Sequence, residues 1–537
     1  RFSDLLSGHV AMVSLCFISR AVILKPSPVN RHCFVGGRLL YHGRITFHAR
    51  RYQLGDNNHD NHEVLDVMVP SLLDEGLYYP DGQILEEVYV YGSYTQSKMY
   101  MHNVRCSDCH DMHSLNLHAE GNELCLQCHR GAVYDQPSHQ FHKREHEGKP
   151  SDGYLCVKCH MPGRTYMGID YRLDHSLRVP RLDLSLSLGT PNSCSSVGCH
   201  DDKELSWVND AYTRWYGQTR PPHYGEVIAG GRQGAPEAET PLHTLAEDPL
   251  VPAIVRATAL SQLRQYPGAE ITELFSRLLD DDDALIRHTA IRSLENSDRD
   301  TRLRLIAPKL YDPVKAVRIE AAVALAGLGD DELREDDRQR FAEVLEDYQQ
   351  DMRYNGDFAP QHYNLGNLAA ALGDDERAVS HYEAALAIDE QFFPARVNLA
   401  MLYNRRGDND QAVAQLRRVV AAHPLQYEAA YSLGLLYAEM GDFEEAAVQL
   451  GRAADGMAGY TRVRYNFELA LMKLGRWAEA EQALLMVIEL EPGNEPYFST
   501  LANLYLGFGM QQRARQLAES FLALHPDHQA AAELFAK

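Results

Sequence analysis

The amino-acid sequence predicts a mainly α-helical chain in which a segment too poor in apolar periodicity to build its own core precedes an α-solenoid. Three observations predict it. Glycine and alanine recur at one fixed interval over the last third of the chain, a looser repeat precedes them, and eight of the ten cysteines crowd between residues 106 and 199. At 537 residues the chain is too long for one hydrophobic core, so its length already implies several domains.

Residues 1–95 read as a mixed, irregular region of strand and loop. Residues 10–24, VAMVSLCFISRAVIL, are apolar but broken by Arg20 and short for a bilayer span, which favours a buried strand over an anchor. The stretch lacks a basic leader and a small-x-small cleavage site, and the chain does not begin with Met. A processed or incomplete N-terminus, with its export signal lost, is the expectation. The run ILEEVYVYGSY (84–94) is β-branched and aromatic and is the best strand candidate. From 96 to 220 cysteine, histidine, glycine and proline dominate, so something other than side chains must fill that interior. Residues 217–241 are rich in Gly and Pro and read as a linker.

Residues 243–330 carry PAIVRATALSQL, DALIRHTAIRSL and VKAVRIEAAVAL, whose arginines Arg256, Arg287 and Arg318 are evenly spaced. The spacing is short for a HEAT-type helical pair but similar in character, and turn signals at Asp281 and Asp312-Pro313 precede two of the helices. Residues 355–537 follow a stricter rule. Gly373, Gly407, Gly441, Gly475 and Gly509 keep one constant interval, and Ala378, Ala412, Ala446, Ala480 and Ala514 keep the same one. That interval is the tetratricopeptide period. With Tyr403, Tyr437 and Tyr505 and the prolines Pro424, Pro492 and Pro526, these positions make five tetratricopeptide units. Gly suits the tight turn between antiparallel helices, and Ala lets the helices approach. Such solenoids present a concave surface to a partner.

A formal charge of −23 excludes nucleic acid as a partner, because phosphate binding needs a basic face. The cysteines carry the chemistry. CSDCH (106–110), CLQCH (125–129) and CVKCH (156–160) each close a cysteine pair with histidine, and CSSVGCH (194–200) does so across a wider loop. Cys-x-x-Cys-His is the attachment signature of c-type haem: two thiols form thioethers with the porphyrin vinyls, and the adjacent His ligates the iron. The cofactor-binding residues are then Cys106, Cys109, Cys125, Cys128, Cys156, Cys159, Cys194 and Cys199, with His110, His129, His160 and His200 as proximal iron ligands. A four-cysteine zinc ribbon is the rival, since the pairs Cys106/Cys109 and Cys125/Cys128 stand as far apart in the chain as the two halves of a ribbon. With 25 His in the chain, however, His would follow four independent sites by chance in roughly one case in 200,000, and a ribbon needs none. A thioredoxin-like pair lacks its βαβ setting. About four covalent haems and their iron are the expected cofactors.

Further histidines are available for the sixth iron position: His102, His113, His118, His139, His142, His146, His175 and His223. His113, just past His110, cannot bend onto its own haem but can face a neighbouring one; it ranks first, followed by His139, His142 and His175. Met112 and Met161 suit packing on porphyrin better than ligation.

At these residues the chain resembles bacterial multihaem c-type cytochromes that carry a doubled Cys-x-x-Cys-His module followed by tetratricopeptide repeats. The resemblance rests on residues 79–99, CSDCHDMHSL (106–115), GNELCLQCH (121–129), CVKCHMPGRTYM (156–167), DHSLRVPRLDLS (174–185) and GTPNSCSSVGCH (189–200), and it spans roughly residue 45 to the C-terminus. It implies that His113 and His175 are distal ligands. Members usually hold further motifs upstream. GRITFHARRYQLGD (43–56) looks like the remnant of one, retaining His48 but with Arg44 and Phe47 at the cysteine positions, while Cys16 and Cys33 have neither a partner nor a following His. Some relatives are labelled nitrite-reductase-like, yet this sequence has no Cys-x-x-Cys-Lys.

The resulting expectation is an exported, periplasmic or extracellular electron carrier rather than a catalyst. Its repeats would dock a redox partner protein, or hold a homo-oligomer or a membrane-associated complex together. The alternative is a multihaem reductase with one iron open to a small, nitrite-like oxyanion. A third reading has the haems merely stapling a core-poor domain.

Overall fold

The computed structural model describes residues 53–55 and 63–536, apart from 87, 89, 112, 167–169, 197, 267, 330, 331, 458 and 459. The apolar run 10–24, Cys16, Cys33 and the remnant motif around His48 lie outside the described residues. The fold is mainly helical. Its strands, among the described residues, are two short antiparallel pairs, Glu145–His146 with Lys149–Pro150 and Gly163–Tyr166 with Asp170–Leu173. No helix among these residues is long and apolar enough to cross a membrane. The chain divides into two compact units, Arg1–Asn355 and Gly356–Lys537.

In the first unit the three arginine-bearing segments form the helices Ala253–Gln262, Ala284–Ser293 and Lys315–Leu325. The even spacing of the arginines has a structural cause. Arg256 donates to Asp281 (2.6 Å), and Arg287 forks onto Asp312 (2.8 and 2.9 Å), so each arginine reaches the turn of the next repeat. Each aspartate also accepts a backbone N–H of its own turn, from Asp283 and Val314. One carboxylate thereby shapes a turn and ties two repeats together.

Two local expectations are overturned in this unit. The run 84–94 is not a strand: Ile84 makes only an isolated bridge with Tyr78, and Val90–Tyr94 is a helix. Residues 92–97 are buried, and a Cβ at Gly92 would meet the Tyr78 hydroxyl and the Ile254 side chain. Tertiary packing has overridden β-propensity. Nor is 217–241 a linker, since it holds the helix Tyr224–Arg232 and the start of Glu239–Glu247, with Ile228 and Leu242 fully buried. Gly225 and Gly231 serve close packing. A Cβ at Gly231 would lie 2.1 Å from Gln262 Oε1, and one at Gly225 2.9 Å from the Asp81 backbone. Arg232 donates to the carbonyls of Leu73 and Tyr78, and Leu73 N–H donates to Thr258 Oγ1, so the stretch from Leu73 to Tyr78 is tied to the helices that follow.

The second unit consists of tetratricopeptide hairpins, from Ala359–Ala371 paired with Asp375–Ile388 through Glu495–Gly507 paired with Gln511–Leu522, followed by Gln529–Ala536. The five periodic glycines all adopt positive φ, between 68° and 83°, which a residue with a Cβ enters only at a cost. The five periodic alanines are fully buried between the paired helices.

Candidate functional site

In the cysteine-rich segment a small apolar cluster of Leu182, Val208 and Tyr212 forms beside Cys194, around the fourth motif. Between residues 98 and 165 no described apolar side chain is buried, and Asn122 alone is. What organises the segment is hydrogen bonding around the four motifs. Cys106–Cys109 and Cys156–His160 are single helical turns, and Cys125 ends such a turn at Glu123–Leu126. The first two motifs close with the His N–H on the first cysteine's carbonyl, His110 to Cys106 at 2.9 Å and His129 to Cys125 at 3.0 Å. The wider fourth motif keeps the same closure, His200 N–H to Cys194 O at 3.0 Å, with the extra length taken up in a turn where Gly198 has φ 82°. The wider loop therefore keeps the backbone closure from the motif's histidine to its first cysteine.

Thiols of successive motifs lie within electrostatic reach of one another: Cys128 of Cys109, Cys156 of Cys125, and Cys199 of Cys159. Burial, reinforced by neighbouring thiols, pushes Cys159 up to about 11 and Cys194 up to about 12, so these two are neutral thiols at pH 7. Asn122 joins the second and third motifs: its Oδ1 accepts Cys156 N–H (2.9 Å) and its Nδ2 donates to Asp135 Oδ1 and Tyr154 O. Ser193 donates to Cys159 O (2.6 Å), joining the third to the fourth.

The imidazoles are held as specifically. Nδ1 of His110 faces Leu115 O (3.1 Å), that of His142 faces Gln140 O (2.6 Å), that of His160 faces Arg178 O (2.9 Å), and that of His175 faces Leu173 O (2.9 Å). A carbonyl oxygen only accepts, so Nδ1 carries the proton and Nε2 is left with its lone pair, the tautomer a metal-bound histidine needs. Burial lowers the pKa of His160, His175 and His200, which favours the neutral, ligating form. His223 is set the other way. Its Nδ1 accepts the Gly225 N–H as a helix cap, which puts the proton on Nε2.

Several sequence-selected imidazoles come together. His139 and His160 are stacked, with ring centroids 6.2 Å apart and planes within 10°. His142 and His200 face each other at 6.0 Å with a 41° tilt. Two imidazoles on opposite sides of one metal, with bonds of about 2 Å and roughly 1 Å more to each ring centre, stand about 6 Å apart. His175 lies within electrostatic reach of His110. His113 is exposed, its backbone N–H on Asp111 Oδ1 (3.2 Å), and has no ring contact among the described residues. His129 meets the edge of Tyr134 at 5.6 Å. No three His, Cys, Asp or Glu side chains among the described residues gather into a metal cage.

Positioning groups escaped the sequence reading. Arg178 brackets His160, its carbonyl accepting from Nδ1 and its N–H donating to His160 O, and its half-buried side chain pairs with the buried Asp81 and Asp174. Trp207 and Trp215 lie against His200 and His142. Backbone carbonyls leave no mark in a sequence. Asn122 and Arg178, by contrast, stand inside the quoted GNELCLQCH and DHSLRVPRLDLS segments.

On the second unit a cavity of about 630 Å³ is lined by Phe393, Arg396, Arg418 and His423. Burial and then the neighbouring Arg418 charge lower the Arg396 pKa, marking a cationic spot on an acidic chain.

Tetratricopeptide-repeat family models match residues 359–392, 397–460 and 437–504, and the C-terminal region is a tetratricopeptide scaffold of the kind that docks proteins. Similar solved structures include YrrB, described as a TPR protein with an unusual peptide-binding site (22% identity, 35% of this chain and 98% of that chain, TM-score 0.31). The MamA protein is another (22%, 31% and 92%, TM-score 0.29), as is MamA 41-end from Desulfovibrio magneticus RS-1 (16%, 32% and 97%, TM-score 0.29). No curated protein matches the chain.

Proposed function

We propose that this protein is an exported multihaem c-type cytochrome. It transfers electrons through about four covalently held haems, and its tetratricopeptide unit serves as the surface on which a redox partner protein docks. The observation that carries the reading is the pairing of imidazoles from the motifs with spare histidines: the ring centres of His139 and His160 are 6.2 Å apart and those of His142 and His200 6.0 Å, the separation two ligands of one iron would have. The donor set fits haem c. Cys106/Cys109, Cys125/Cys128, Cys156/Cys159 and Cys194/Cys199 each offer two thiols to add across two vinyl groups as thioethers, and His110, His129, His160 and His200 supply the proximal nitrogen. The missing apolar core between residues 98 and 165 is consistent with a large planar group supplying that interior.

Bound there, haem supplies a one-electron couple. The chain's part is to fix it. Backbone carbonyls hold the ligating tautomer of His110, His142, His160 and His175, burial favours the neutral form of His160, His175 and His200, and the distal side is closed by histidines drawn from His113, His139, His142 and His175. Closing both faces of each iron favours electron transfer over catalysis. The working compartment is periplasmic or extracellular, because covalent attachment takes place outside the cytoplasmic membrane.

The test is reaction of the purified holoprotein with a low-potential reductant, followed by a search for nitrite turnover. Rapid reduction and reoxidation of all haems without nitrite consumption supports the carrier. Catalytic nitrite reduction by the unmodified protein replaces it with the reductase alternative.

A further inference from the structure

We infer that one short segment, Pro137–His142, closes two different irons: His139 that of the Cys156–His160 motif and His142 that of the Cys194–His200 motif. The inference rests on the haem reading above and adds which ligand serves which site.

Two histidines three apart in a helix lie on one face and would serve one site. Here the helix Pro137–Gln140 ends at Phe141, which has φ 54°, the left-handed region that a residue with a Cβ seldom occupies. That single residue turns the chain, so the His139 ring comes to 6.2 Å from that of His160 with its plane near parallel, while the His142 ring comes to 6.0 Å from that of His200. His142 holds its own orientation by donating from Nδ1 to Gln140 O, which leaves Nε2 free to ligate.

The turn is pinned from outside. The Phe141 ring lies on Trp215 at 5.0 Å with planes within 1°, and Tyr216 Oη donates to His139 O at 2.5 Å. Trp215 also meets the edge of His142 at 5.8 Å. The helix Leu205–Tyr216, directly after the fourth motif, is therefore the clamp on both distal ligands. Because His139 and His142 are so close in the chain, the two irons they serve are neighbours, and a shift of this segment reaches both.

The test uses the holoprotein and reads electron paramagnetic resonance and cyanide titration beside a haem count. His139→Ala and His142→Ala should each keep four haems, convert one from low to high spin and create one cyanide site; the double variant should give two. In a C156A/C159A background, which lacks the third haem, H139A should add no high-spin signal while H142A still adds one. Should H139A fail to fold, His139→Met keeps a sixth ligand, and one haem of four should titrate at a higher potential. Four haems that all stay low-spin in H139A, or an H139A signal that survives loss of the third haem, overturn the pairing and leave the haem reading standing. Folded protein with no covalent haem overturns that reading itself.

Discussion

His139 and His160 lie ring against ring, 6.2 Å between centroids and 10° between planes, although the small hairpin of Glu145–His146 and Lys149–Pro150 intervenes between them in the chain. His139 also meets the edge of Tyr134, with ring centroids 5.4 Å apart. Hydrogen bonds to backbone carbonyls and the clamp of Trp215 and Tyr216 hold this neighbourhood, and they arrange imidazoles rather than a hydrophobic interior.

His175 is the ligand expected to close the iron on His110. It is held by Leu173 O and kept neutral by burial. H175A should open one iron, seen as a new high-spin signal and cyanide binding absent from the parent. His113, exposed beside Asp111, is the remaining candidate for the iron on His129, and H113A should open a different one. If neither variant changes the spin state, these assignments fall.

The repeat ladder of the first unit makes a stability prediction. Asp312 is buried under the Arg287 fork and also caps its own turn. D312A leaves that guanidinium without its carboxylate and should destabilise the first unit by about 3 kcal/mol. Denaturant unfolding measures it, and a loss below about 1 kcal/mol would show the ladder to be incidental.

Glu468 makes the second unit pH-sensitive. It is fully buried, neither carboxylate oxygen has a hydrogen-bond partner, and burial pushes its pKa from 4.5 up to about 8. The folded state binds the proton more tightly than the unfolded state. Stability from this group is therefore complete below pH 4.5, falls as pH rises and is gone above about pH 8. At pH 9, E468Q should stabilise the unit by on the order of 3 kcal/mol and flatten the profile. An unchanged profile would place the carboxylate in water.

Export is testable through colour. Expression without an export signal should give colourless protein, and the same chain directed to the periplasm with the attachment machinery should be red. Red cytoplasmic protein would contradict the assignment.

The repeats were legible because geometry forces their residues: the positive φ of Gly441 and the fully enclosed seat of Ala446 each tolerate few side chains, so the period survives in the sequence. The four motifs stand out in the sequence because a cysteine pair closed by histidine recurs at short spacing. The segment 217–241 misled because glycines at a close helix contact look like glycines in a linker, and only the position of Gln262 against Gly231 tells them apart. Residues 84–94 misled because the burial that favours a helix there comes from Tyr78 and Ile254, the latter contributed by a helix far along the chain. Which histidine faces which depends on Phe141 and Trp215, whose role no local pattern announces.

The most direct measurement is the intact mass of denatured holoprotein together with a pyridine haemochrome count. The account expects an excess of four haem masses and four c-type haems per chain. An excess of three would remove the Cys194–His200 site, and colourless, zinc-loaded protein would contradict the account altogether.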